Sequence, residues 1–262
     1  MPRPQDIVFP TRRERSEDRR KEGQQRKVLD EFFDHATLLA VSRLVNRGQF
    51  DSVDYPISMG KEGGVFRATK GGEYRAVKVY RIANTMFRHL PAYSLEQLRE
   101  ETSVRNFGGL VVAWTRREHT ILGRLTDAGV RVPRPYGHLR NVLVMEYIGD
   151  GTGAAPRLRD ALVDDPAAMY EDLVRQVRTM LLEAHLVHGD LSPFNTLYWD
   201  GKVVLIDVAQ AVSSEHPEAP KLLARDLANY AKFLHRLGVT VDTEEFLHAV
   251  GGDTLGSPPA GS

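Results

Sequence analysis

The stretch that most restricts how this chain can fold is LVHGDLSPFNTLYWDGKVVLID, residues 186–207. It follows MYEDLVRQVRTMLLEAHL (169–186), where Met169, Leu173, Val177, Leu181 and Ala184 recur at helical spacing and predict a helix packed on a core. Beyond the loop, TLYW and KVVLI are strand-like runs around Asp200-Gly201, the pair favoured in a two-residue type I′ hairpin. Helix, polar loop and hairpin put His188, Asp190 and Asn195 in one loop with H-x-D-x-x-x-x-N spacing, and Asp207 at the end of the second strand. Asp, Asn and Pro are common in turns, so the loop by itself is only moderately specific. Joined to LID twelve residues after Asn195, it becomes a much sharper signal.

Those residue types suit phosphoryl transfer. That reaction needs a carboxylate near the attacking hydroxyl and hard oxygen ligands for magnesium on the phosphates. Asp190 fits the first task, and Asn195 with Asp207 the second. Upstream, SMGKEGGVFRA (58–68) is a glycine-containing turn in which Gly60, Gly63 and Gly64 permit close backbone approach to phosphates and Lys61 adds charge. A glycine-rich hairpin fits a purely structural role equally well. AVKVY then sets Lys78 among apolar residues, where an ammonium is costly unless paired. The partner predicted for it is Glu118, which shares a helical stripe with Trp114, Ile121, Leu122 and Leu125. VMEYIG (144–149) reads as a buried strand; as a crossing between lobes, backbone groups of Glu146 and Ile148 would meet an adenine edge and Met145 would shape its pocket.

Along the chain, TRRERSEDRRKEGQQRK (11–27) carries eight Arg/Lys against four acids and reads as a solvated, flexible segment, with an RNA contact as the alternative. Leu29, Phe32, Phe33, Ala36, Leu39, Ala40 and Leu44 predict an amphipathic helix over 28–47 stopped by Gly48. VFRAT and YRAVKVY joined by KGG predict a hairpin. Residues 81–113 show weak periodicity, broken by Pro91 and Gly108-Gly109, and read as a partly mobile insertion before a helix over 113–128. GDGTGAAP reads as a linker and 251–262 as a disordered tail. The expected fold is α+β with two lobes, a strand-rich one over 51–148 and a mainly helical one over 149–250, meeting at a cleft near Gly149. The chain has no cysteine, which excludes a disulfide framework or thiolate zinc site. It has no apolar run near the length of a bilayer span and no secretion signal at the N-terminus, so a cytoplasmic enzyme is expected. A formal net charge of zero offers no general argument for DNA or an anionic membrane as partner.

Taken together, LVNRGQF (44–50), PISMGKEGGVFRA, AVKVY, RVPRPYGHLRNVLVMEYIG, LVHGDLSPFN, VLIDVAQAV and RDLANYAKF resemble the RIO family of atypical serine/threonine kinases, over roughly residues 28–235. With no recognisable winged helix before residue 50, the resemblance is to the first-named branch. It implies a trimmed two-lobed protein-kinase-like fold without activation loop or peptide-docking subdomains, binding ATP and magnesium, with manganese as a substitute. By that resemblance Asp190 is the catalytic aspartate, Asn195 and Asp207 are metal ligands and Lys78 binds phosphates with Glu118 as its partner. The loop Gly60, Lys61, Glu62, Gly63, Gly64 and Val65 would cover the phosphates, and Met145, Glu146 and Ile148 would form the adenine hinge. Autophosphorylation is implied near 81–113, although LREETSVRNFGG lacks the expected basic stretch, and Asp207 is implied as a phosphoenzyme site. The family also implies a role, as kinase or ATPase, in maturation of the small ribosomal subunit through its RNA or proteins.

Two other readings compete. Aminoglycoside and choline phosphotransferases also carry H-G-D and a following asparagine, but only 55 residues follow Asp207 here, little for an acceptor-binding lobe. A scaffold without activity would not need Lys78, Asp190, Asn195 and Asp207 together. Where regulated protein kinases place an arginine before the catalytic aspartate to meet a phosphorylated loop, this chain has Gly189, and VAQAVSSEHPEAPKLL after Asp207 holds neither D-F-G nor A-P-E.

Overall fold

The computed structural model describes residues 33–60, 63–82, 92–100 and 106–255. The charged segment 11–27, Leu29, Phe32, Lys61, Glu62, parts of the predicted insertion and the tail from 256 lie outside the described residues. The chain divides into two compact units, one of residues 1–119 and 135–147, the other of 120–134 and 148–262. The division after Tyr147 falls two residues before the predicted Gly149.

In the first unit, helix α1 runs His35–Asn46, later than predicted, because Asp34 caps it by accepting the Thr37 N–H at 2.7 Å. Its buried face is Thr37, Ala40, Val41 and Leu44 instead of a stripe through Leu39, which is exposed. Thr37 goes inward because the buried Asn141 amide donates to its hydroxyl at 2.9 Å, and to the Tyr80 carbonyl at 2.8 Å. Gly48, at φ +68, ends the helix as predicted. Strands β1 (Ser52–Met59), β2 (Gly63–Lys70), β3 (Glu73–Tyr80), β4 (Pro135–Leu139) and β5 (Val142–Glu146) form one antiparallel sheet in the order β1-β2-β3-β5-β4. Phe66, Ala68, Val77, Val79, Val142 and Val144 bury one face of it against α1 and Phe33. Both edge strands escape the sequence pattern. They carry Pro56 and Pro135, tolerated only where no inner ladder bond is lost, and little of either is buried.

Helix α2 (Ala92–Glu100) occupies part of the predicted insertion. Helix α3 runs Phe107–Asp127 and so begins six residues earlier than predicted, straight through Gly108-Gly109. The Asn106 side chain accepts the Gly109 N–H at 2.8 Å, and glycines in a first turn forfeit no intrahelical bond. The rings of His119 and His138 pack edge to face with centroids 4.7 Å apart. Burial lowers the pKa of both, and for His138 the neighbouring His119 and Arg116 add to it. The unfolded chain therefore takes protons first as pH falls below about 6.5, so stability held above that value is lost in acid. The melting temperature is expected to fall between pH 7.5 and 5.5, and His138→Phe should shrink that fall. A pH dependence identical in the variant would refute the assignment.

The second unit is built on helix α4 (Pro166–Leu182), capped by Asp165 and ended before the predicted 186. Its buried Asp172 accepts the Val203 N–H at 2.8 Å, tying the hairpin β7 (Thr196–Trp199) and β8 (Lys202–Leu205) to the helix. Asp200 and Gly201 have φ of +51 and +69, as a type I′ turn requires. The stretch predicted as a linker is a tight loop instead. Asp150 accepts the Thr152 N–H at 2.7 Å, and Gly149 and Ala154 form a bridge. Gly149, at φ +139, has no room for a Cβ, which would stand 2.4 Å from the Gly153 carbonyl oxygen. Strand β6 (Leu186–Val187) pairs with β9 (Val212–Ser213). Helices α5 (Ala219–Arg236) and α6 (Thr243–Ala249) follow, and a 3-10 turn over Gly252–Thr254 gives order to the first residues of the predicted tail.

Candidate active site

The register of the first unit sets Val65, Lys78 and Met145 of the predicted residues on one sheet face, and Gly64 and Glu146 on the other. Val65 stands opposite Lys78, which stands opposite Leu143, and Ala76 stands opposite Met145. The Lys78 Nζ donates to Glu118 Oε1 at 2.6 Å, and Glu118 is 1 % exposed. This is the pair expected from two charges each out of place among apolar neighbours. The structure adds Tyr80, which the sequence reading missed. Its hydroxyl donates to Glu118 Oε2, so both carboxylate oxygens are held, and Lys78 Nζ lies 4.8 Å from its ring centroid. Burial, then the Glu118 charge, push the Tyr80 pKa well above its usual value, which keeps it a donor. The available signal was position: two residues past Lys78 on the same strand, it shares that face.

The glycines of the β1–β2 turn answer first to packing. Gly60 N–H donates to Gly63 O at 2.9 Å, and a Cβ on Gly63 would meet the Val79 carbonyl oxygen at 2.7 Å. A Cβ on Gly64 would lie 2.9 Å from Met59 Sδ. At the predicted hinge, Glu146 ends β5, while the Ile148 carbonyl accepts the Ala155 N–H at 2.9 Å.

In the second unit the predicted loop is held at each functional position. His188 is buried, and its Nε2 bonds the Ile206 carbonyl at 3.0 Å. Ile206 N–H in turn donates to the Asn195 carbonyl at 3.1 Å, so the loop and the strand end carrying Asp207 are fastened together. The Asn195 Nδ2 donates to both the main-chain oxygen and Oδ2 of Asp190, each at 2.9 Å. With its amide nitrogen so committed, Asn195 would offer its side-chain Oδ1 to a hard cation. Thr196 and the buried Tyr230 hydroxyl are bonded to each other and anchor the start of β7. Asp207 sits in the left-handed region at φ +59, a conformation that costs most residues about 1–3 kcal/mol and that aspartate tolerates best after glycine and asparagine. Burial raises the Asp190 pKa, opposed by His188, the Asn195 bond and Arg225, and aided by Asp207. Gly189 has φ +77, so the residue before Asp190 is one where an arginine would be strained.

No group of three or more His, Cys, Asp or Glu side chains able to hold a metal exists among the described residues. Asn195 and Asp207 nevertheless fit magnesium, which keeps several waters and takes its remaining ligands from phosphates.

A family model described as the RIO domain matches residues 64–246, from β2 through α6. The chain belongs to the RIO family. Among curated relatives of this RIO chain, the RIO-type serine/threonine-protein kinase Rio1 of Haloferax volcanii is 43% identical over 236 residues, which cover 90% of this chain and 81% of that protein. The Rio1 kinase of Thermoplasma acidophilum is 36% identical, covering 69% of this chain and 95% of its own. Eukaryotic relatives are longer, and the chain spans 46% of the Caenorhabditis elegans and 40% of the human serine/threonine-protein kinase RIO1. The fold is that of the Rio2 kinase of Chaetomium thermophilum, solved as an ADP/Mg2+-phosphoaspartate complex, with a TM-score of 0.64 at 24% identity over 85% of this chain and 67% of that one. The expected protein-kinase-like α+β fold and the expected family both hold. Among the described residues no helix is long and apolar enough to cross a membrane.

Proposed function

We propose that this RIO-type kinase chain binds ATP with magnesium and moves the γ-phosphoryl group to a hydroxyl or carboxylate acceptor, or to water. The observation that carries the proposal is the tethering of Asn195 to Asp190, which orients an amide oxygen for a cation and fixes the catalytic carboxylate in one stroke. Lys78, steadied by Glu118, binds the α- and β-phosphates. Residues 60–65 cover the phosphates, and Met145 with the backbone of Glu146 and Ile148 receives adenine. Asn195 and Asp207 hold magnesium, which when bound neutralises charge on the phosphates. Asp190 orients the acceptor and takes its proton. Manganese serves in place of magnesium.

We also propose a second use of the Asp207 side chain, as acceptor of the phosphoryl group itself, a reading supported by the phosphoaspartate in the Rio2 complex of similar fold. In that step a carboxylate oxygen bonds to the γ-phosphorus as the bond to the β-phosphate oxygen breaks and ADP leaves. We also propose that the chain acts in the cytoplasm on the maturing small ribosomal subunit, with the basic segment 11–27 as its RNA contact.

Purified chain incubated with γ-labelled ATP and Mg2+ should release labelled phosphate or label itself, and EDTA should stop both. Label on Asp207 would be released by hydroxylamine, whereas label on serine or threonine would not. Asp207→Ala should abolish the metal-dependent activity. An unchanged rate in that variant would end the metal assignment, and phosphorylation of an aminoglycoside or choline with none of the chain itself would end the kinase reading.

A further inference from the structure

The arginine absent from position 189 has a counterpart elsewhere. Helix α5 grips the peptide group that precedes Asp190. The Arg225 guanidinium donates to the Gly189 carbonyl. Arg225 is itself paired with its neighbour on the helix, its Nη2 lying 3.2 Å from Asp226 Oδ1. Asp226 is 1 % exposed and lies on the buried stripe of α5 with Leu222, Leu223, Leu227 and Tyr230. Arg225 stands beside it at the edge of that stripe, with its side chain 47% exposed.

This arrangement is well suited to hold a loop. A helix of eighteen residues, buried along one side, is a rigid support. A planar guanidinium bonded to a carbonyl and a carboxylate fixes direction as well as distance. The positive φ of Gly189 belongs to the same device, because it sets the peptide that offers its carbonyl to α5.

We propose that Arg225 is a positioning residue for Asp190. In regulated kinases an arginine on the catalytic loop reaches outward to a phosphate. Here a guanidinium reaches inward from α5 to the loop's own backbone, so the loop is set by a permanent internal contact and needs no phosphorylated segment. The inference rests on the reading of Asp190 as the catalytic carboxylate.

The test compares Arg225→Met, which keeps the apolar stem and loses the donors, with Arg225→Lys, which keeps one cationic donor, and with Asp190→Asn. Arg225→Met should lower kcat about 10²-fold with KM for ATP nearly unchanged, the size of effect expected when a reacting group is misplaced by about 1 Å. Arg225→Lys should lie several-fold below the parent and well above the methionine variant. Methylguanidinium added to Arg225→Ala should restore turnover saturably. A kcat near that of the parent in Arg225→Met, with Asp190→Asn inactive, overturns the role of Arg225 alone. So does a loss in Arg225→Met that neither lysine nor methylguanidinium relieves. Should Arg225→Met fail to fold, Arg225→Lys decides, since an unchanged kcat there is also incompatible with the proposal. Full activity in Asp190→Asn would instead remove the reading of Asp190 on which the inference depends.

Discussion

Asp190→Asn is expected to lower the rate of phosphoryl transfer about 10²–10⁴-fold, the range typical of a lost general base. The substitution keeps the shape of the side chain and an acceptor oxygen for the Asn195 amide, so the loop should stay in place. What disappears is the negative charge proposed to orient the acceptor hydroxyl and take its proton. Nucleotide affinity should change little, because the phosphate contacts are assigned to Lys78 and to the metal ligands Asn195 and Asp207. Turnover and equilibrium ATP binding measured side by side check both halves. A variant that retains most of its turnover would mean that Asp190 is not the proton acceptor, and one that loses ATP binding equally would move Asp190 into the nucleotide site.

The second large effect is on stability. Glu118→Leu should destabilise the chain by about 3–5 kcal/mol, the usual result of leaving one partner of a buried ion pair behind. Lys78 Nζ would lose its 2.6 Å partner, and the buried Tyr80 hydroxyl its acceptor. The double variant Lys78→Met/Glu118→Leu should recover much of that loss, since two well-packed apolar residues replace the pair as a whole. It should recover no activity, because the ammonium proposed to bind the phosphates is gone. Thermal or urea unfolding of the three variants measures this. Equal instability in the single and double variants would show that the cost lies in packing and not in the stranded charge.

These effects show which parts of the site were legible in the sequence. Lys78 and Glu118 could be paired on paper because each was a charge placed among apolar residues, and one anomaly answered the other. The Asp200-Gly201 turn was legible because its backbone demands a particular residue pair. Tyr80 was hidden, since an aromatic in a strand looks like ordinary core until its hydroxyl is seen to donate. Arg225 was hidden for a different reason. Its partner is the backbone carbonyl of Gly189, which has no sequence signature and lies 36 positions away. The start of α3 was misread because Gly108-Gly109 looks like a break unless the capping Asn106 is taken into account. Strands β1 and β4 lie at sheet edges, where half-exposed residues and prolines weaken the alternation that identifies a strand.

The most direct test is a crystal structure of the chain with a non-hydrolysable ATP analogue and Mn2+, located by its anomalous scattering. One peak should appear with the Asn195 carbonyl oxygen and the Asp207 carboxylate among its ligands, at about 2.1 Å as for a magnesium-type site. A bound nucleotide whose metal is held by other residues, with Asn195 and Asp207 uninvolved, would contradict the assignment.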